Sequence, residues 1–293
     1  MTAPPTATVD ATPATTEDEE PVMTTTELPL PTDRAIAVRP ARTRDLARLP
    51  AVLRSEWIKA STVRTNKTML AAAAVVGLLT SWATAVFLKD VVLTAAEVAT
   101  GATALTAVLA AIAGILLFTA EAQHGTLAGA LTAQPARWPV VAGKVVVAIG
   151  LGLALGVIGL LAGFAGALAG GLEVGDTSGL PSTVLWVPLY TCGSAVLGLG
   201  VGMVVRHSAG AVSGLLVWWL VVEGILVQFA PGEAVRFVPF DTGWRSLGIT
   251  SHLDPPAVVA AGLSNALHAS IFWGYVLAAL VIGAVLVHRR DAT

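Results

Sequence analysis

Six apolar runs separated by short polar segments set the pattern of this 293-residue chain. They cover Met69–Leu88, Val98–Ala120, Val140–Leu172, Val184–Val205, Gly210–Phe229 and Ala269–Val287. About twenty apolar residues in a helix cross a bilayer core of about 30 Å. Each run therefore predicts a spanning helix, and the third is long enough to project beyond the membrane.

The polar segments differ in kind. Residues 1–33 hold ten Thr, six Pro and seven acidic residues without a Lys or Arg. Too little apolar surface is available there to offset the entropy of folding, so residues 1–45 are expected to form a disordered tail, acidic and then basic. The segment is no signal peptide, lacking a basic start and an apolar centre. Beyond it, Leu46, Leu49, Leu53, Trp57 and Ala60 share one helical face. Arg48, Arg54 and Lys59 lie off that face, and Glu56 lies near its edge. This predicts an amphipathic helix in the headgroup layer, leading into the first span and opening a six-span domain over 46–293.

Within the third run, Gly152, Gly156, Gly159, Gly163, Gly166 and Gly170 recur at intervals of four and three. A mean period near 3.5 keeps them on one stripe, where another helix can approach backbone to backbone. This is a helix-packing surface, within the subunit or between subunits. Between the fifth and sixth runs, Ala230–His268 is too polar to span and too apolar for a plain loop. Short helices at the outer interface would satisfy its backbone.

Composition agrees: 55% of residues are apolar and 12% charged, with a mean hydropathy of +0.77. The fold class expected is an all-α integral membrane protein with six transmembrane helices. With both termini in the cytoplasm, fourteen Lys and Arg fall inside and three (Lys89, Arg236, Arg245) outside. That bias sets the orientation. The single cysteine, Cys192, excludes an intramolecular disulfide and a thiolate metal cluster.

Candidate chemistry is sparse. No G-x-x-x-x-G-K-[ST] and no H-E-x-x-H occurs, so neither a P-loop nor the common zinc-protease site is present. Gly262-Leu263-Ser264-Asn265, followed by His268, suggests a rhomboid-like serine protease. However, Ala266 stands where the second glycine of G-x-S-x-G belongs, and Ser264 and His268 share one short segment. No catalytic or metal-binding residue is assigned. Glu223 is the one carboxylate well inside a run, a possible intramembrane polar site for substrate or proton, or a structural carboxyl.

The stretch Glu121–Lys144, EAQHGTLAGALTAQPARWPVVAGK, places charge, a Gly-Thr turn and two prolines between apolar runs. With its neighbours it resembles the permease subunits of type-two ABC transporters of high-GC Gram-positive bacteria. Leu53-Arg54-Ser55-Glu56-Trp57-Ile58-Lys59 is similar to that family's basic helix before span one. Glu121-Ala122-Gln123-His124-Gly125-Thr126 is similar to its E-Y-R-x-G-T element, with Ala122 and Gln123 replacing the aromatic and basic residues. Pro135-Ala136-Arg137-Trp138 with Lys144 is similar to its P-x-R turn and following lysine, and Leu286–Asp291 to its basic tail.

The resemblance implies that Glu121, Gln123, His124, Gly125, Thr126, Pro135 and Arg137 meet a separate ATP-binding subunit. ATP and magnesium would bind on that partner, and no cofactor or enzymatic activity is expected in this chain. Pro135 and Pro139 are expected to keep the coupling helix separate from span three. The resemblance further implies a second permease copy or paralogue, a bacterial plasma-membrane location and export. Membrane lipid is expected as a partner and nucleic acid is not. The apolar interior suits a small amphiphilic, peptidic or lipid-like cargo. An ion-coupled secondary carrier, the competing reading, would carry paired ionisable groups at midplane.

Overall fold

A computed structural model of the chain describes residues 41–88, 94–126, 137–171, 180–248 and 262–289, with side chains from Leu49 onward. The expected disordered tail and Pro135 lie outside the described residues, except for the backbone of the tail's last five positions, 41–45.

The chain is helical, and among the described residues six helices are long and apolar enough to cross a membrane. Helix α1 covers Ala41–Thr62, and α2, the first span, covers Arg64–Phe87. Val63, extended at φ −66° and ψ 123°, separates them. The second span, Ala95–Gln123, is split into α3 (Ala95–Thr100) and α4 (Thr103–Gln123). It begins before the expected Val98 because Thr94 and Glu97 form a capping box: the Thr94 hydroxyl accepts from the Glu97 N–H, and the Glu97 carboxylate accepts from the Thr94 N–H.

The third span, α5 (Arg137–Ala169), runs 33 residues, or about 50 Å at 1.5 Å per residue. Pro139 lies in its first turn, where a proline removes no helical hydrogen bond. The expectation that Pro139 precedes the helix and holds it off from the polar segment is therefore corrected. The helix ends at Gly170-Gly171, where Gly171 takes φ +81°. Then follow α6 (Leu180–Val205), α7 (Ser208–Phe229) and α10 (Asn265–Arg289).

Helices α3, α4 and α6 form the centre. The apolar stretch of the second span is 61% buried and that of α6 67%, against 17% for α7 and 22% for α2 and α10. Close approach of α4 and α6 depends on glycine. A Cβ on Gly198 would collide with the Ala111 backbone, and one on Gly114 with the backbone of Ala195. The stripe on α5 is turned toward neighbours in the same chain. Gly152 and Gly156 face Thr191 and Pro188 of α6, while Gly159 faces Thr106 of α4. Gly163 meets Ala99 of α3, Gly166 meets Leu78 of α2, and Gly170 meets Ala85 and Trp82 of α2.

Helix α7 contains a π-helical turn, Trp218–Glu223. In such a turn residues five apart stack, and here the Trp218 indole N–H donates to Glu223 Oε1 at 2.8 Å. The other acceptor sites of Glu223 receive the Phe240 N–H (Oε1, 3.1 Å) and the Asp241 N–H (Oε2, 3.1 Å). Those amides belong to the start of α9 (Pro239–Arg245), which follows the single turn α8 (Gly232–Val235).

The segment between α7 and α10 was expected to lie on the outer interface. Its described part forms the short helices α8 and α9, folded into one end of the bundle. Val235, Val238, Phe240 and Thr242 are buried, and Gly243 packs against the ring of Tyr190. Tyr190 donates to the Phe240 carbonyl at 3.0 Å and Tyr275 to the Phe237 carbonyl at 2.6 Å. Aromatic anchors and the Glu223 carboxylate satisfy irregular backbone that would be costly against lipid.

Candidate functional site

At the opposite end of the bundle lies a cluster of four charges. Glu56 and Lys59 come from α1, Glu121 from the last turn of α4, and Lys144 from the second turn of α5. The Lys144 ammonium stands 3.0 Å from Glu56 Oε2 and 2.8 Å from Glu121 Oε2, and donates to the Leu117 carbonyl at 3.1 Å. Its contact with Glu121 is an ion pair without hydrogen-bond alignment. Lys59 completes the ring, 2.6 Å from Glu56 Oε1 and 3.2 Å from Glu121 Oε1.

Two carboxylates and two ammonium groups thus alternate, and the local charge sums to zero. Lys144 is 1% exposed and Glu56 5%, so this is a buried network with one exposed corner at Lys59. Burial works to raise the Glu56 carboxyl, but the Lys144 charge and hydrogen bonds from both lysines outweigh it and hold the group below its ordinary value. Burial likewise opposes the charged form of Lys59, yet Glu56 and Glu121 raise its ammonium above the usual lysine value.

The network also fixes how α1 sits. Glu56 is the most buried of its described side chains, with Leu49, Val52, Leu53 and Ala60 half-buried around it. Glu56 was expected at the edge of the apolar face; it occupies the middle, drawn in by Lys144. Trp57, expected on that face, is 57% exposed and lies over Gly150 at its edge. Arg54 points outward. Gly143 permits the approach, since a Cβ there would meet Val52 at 3.1 Å and Glu56 at 3.3 Å.

Next to the network the chain forms an exposed turn. His124 caps α4, with Nδ1 2.7 Å from the Ala120 carbonyl, and Gly125 takes φ +71°. Gln123, His124, Gly125 and Thr126 are all exposed, whereas Ala122 packs on the core. Gln123 Oε1 accepts from the Ser208 hydroxyl, which ties the turn to the start of α7. There His207 acts as N-cap, its Nδ1 accepting from the Gly210 N–H at 3.0 Å.

Arg137, expected to meet a partner's groove, is engaged at the end of α10 within the chain. Its guanidinium donates to the carbonyls of Val287 (2.7 Å) and His288 (3.2 Å), at the end of α10. A cation there satisfies terminal carbonyls and complements the helix dipole.

The structure therefore brings together Glu56, Lys59, Glu121 and Lys144, with Gln123, His124, Gly125 and Thr126 beside them. It places Glu223 and the glycine stripe elsewhere. Ser264 and His268 form no catalytic pair: His268 Nε2 accepts from the Leu263 N–H at 3.1 Å. The sequence reading missed the pairing of α1 with Lys144 and the bond from Ser208. One signal for the first was available, since two acidic and two basic residues bordering apolar runs must find one another when buried. No protein-family model matches the chain, and no curated protein matches it.

Proposed function

We propose that the chain is the membrane-spanning permease half of an ATP-driven transporter, and that the turn at residues 123–126 receives a separate ATP-binding subunit. The observation that carries this reading is the junction beside the turn. Glu121 is joined through Lys144 and Lys59 to both α5 and α1, and Gln123 is joined to α7. A displacement applied to the exposed turn would be passed to three other helices through short, charged or hydrogen-bonded links. An ATPase could use such a junction to bias two arrangements of the bundle.

On this reading both termini and the turn face the cytoplasm, as the distribution of basic residues favours. A second copy or a paralogue completes the pore, and the direction is export of a small amphiphilic, peptidic or lipid-like compound from a bacterial plasma membrane. A proton-coupled carrier finds less support, because the oxygens of Glu223 are engaged by Trp218, Phe240 and Asp241.

The test is co-purification with a P-loop ATPase, should an adjacent reading frame encode one, followed by ATPase measurement in proteoliposomes. Gly125→Pro forces φ near −65° where the turn requires +71°. Binding and ATP-dependent transport should fall together. Unchanged binding and transport would overturn the assignment, and transport that stops with a proton uncoupler but survives ATP depletion would favour the carrier.

A further inference from the structure

Where α1 meets α2, a cavity of about 310 Å³ opens between these helices and α5. Its walls are apolar, formed by Leu70 of α2 and by Val147, Leu151 and Ala154 of α5. Trp57 of α1 lies along its rim. Two polar residues at the mouth are already engaged: Ser61 donates to the Ile58 carbonyl at 3.0 Å, and Asn66 to the Ala60 carbonyl at 2.8 Å. Lys67 is the remaining charge at the mouth. It is exposed, as is Arg64 one turn earlier, and neither has an acidic partner among the described ion pairs.

We infer that this cavity seats one acyl chain of an anionic phospholipid, with the lipid phosphate at Lys67 and Arg64. Three features select that occupant. The cavity lies where the first span begins, so its mouth is at the level of the headgroups. An apolar floor beneath a cationic rim matches a molecule that is apolar below and anionic above. Trp57, exposed at the rim and packed over Gly150, has the amphipathic character that favours the membrane–water boundary. The lipid would fill the gap under α1 and hold that helix against α5 beyond the charge network, next to the turns that carry Val147, Leu151 and Ala154. This inference rests on α1 lying at the membrane surface, and is independent of what the protein transports.

The full-length protein is reconstituted into phosphatidylcholine nanodiscs containing a minor fraction of phospholipid with brominated acyl chains, either phosphatidylglycerol or phosphatidylcholine. The Trp57 share of the fluorescence is taken as the difference between the native protein and Trp57→Phe. That share should be quenched with about fivefold preference for brominated phosphatidylglycerol, the discrimination expected from one basic residue at a membrane surface. Lys67→Gln should lower the preference and the double variant Lys67→Gln/Arg64→Gln should abolish it, while Ala154→Leu, which fills the floor, should reduce quenching by both lipids. Equal quenching by the two lipids, unaffected by Lys67→Gln, would overturn the anionic seat while leaving α1 at the surface. Quenching by neither would mean that protein covers the cavity, and the surface placement of α1 would fall with the seat.

Discussion

Lys144 and Glu56 are separated by 88 residues of sequence, yet their charged atoms stand 3.0 Å apart with almost no exposure to solvent. The pair is the principal polar link between α1 and the spanning bundle. Removing one partner of a buried ion pair costs about 3–5 kcal/mol, because the other charge is left without compensation. Lys144→Met should therefore lower the melting temperature of the purified protein, since it leaves Glu56 and Glu121 to share the half-exposed Lys59 alone. Combining it with Glu56→Gln should recover part of that loss. A double-mutant cycle with a coupling well below about 0.5 kcal/mol would show that the two residues do not act on one another.

The same network predicts how α1 docking depends on pH. Glu56 has a folded-state value below its ordinary one, so its contribution is complete above the usual carboxylate range, about 4.3, and is lost as pH falls through the depressed value. Lys59 has a raised value, so its contribution is complete below about 10.4 and is lost as pH rises through the raised value. Docking should be flat between those limits. Nearly half of the Lys59 side chain is exposed, so salt should weaken its share and leave that of Lys144 largely intact. A nitroxide at Ser55→Cys, in a Cys192→Ser background, would report α1 mobility. Mobility that changes steadily across neutral pH would contradict the assignment.

The spanning helices were legible because apolar length is a direct physical requirement of the bilayer. Their six cores were readable as continuous runs, and the observed helices differ mainly at the ends. Ends depend on local devices such as the Thr94–Glu97 capping box and the first-turn Pro139. The glycine stripe was visible as a period, but which helices it meets is a matter of tertiary arrangement. The π turn was not legible: it arises because Glu223 must reach the amides of Phe240 and Asp241, seventeen and eighteen residues away. Likewise, residues 121–126 stood out as polar sequence, whereas their attachment to α1 through Lys144 required the fold.

Glycine positions offer a test of the packing in which exposure separates two outcomes. A Cβ at Gly166 would strike the Leu78 backbone, and one at Gly198 the Ala111 backbone. Backbone cannot move aside as a flexible side chain can, so Gly166→Ala and Gly198→Ala should each destabilise by about 1–3 kcal/mol. At Gly214 and Gly224 nothing lies within 4 Å of the added atom. Both are helical, and alanine there should be neutral or slightly stabilising in the isolated subunit. Thermal unfolding followed by size-exclusion chromatography in detergent would rank the four variants. Equal loss at all of them would refute the close approach of α5 to α2 and of α4 to α6.

Glu223 separates an anchoring role from a transport role. Its carboxylate accepts from one indole and two backbone N–H groups, so Glu223→Leu should leave the amides of Phe240 and Asp241 unsatisfied, each at about 1–3 kcal/mol. Glu223→Gln keeps one carbonyl oxygen of similar position and should retain part of that stability. Trp218→Phe removes a single donor and should cost least. If stability follows that order while the proposed transport, assayed with the surviving Glu223→Gln protein, is unchanged, the carboxylate is an anchor for α9. Transport lost in Glu223→Gln at undiminished thermal stability would instead assign the group to cargo or proton handling.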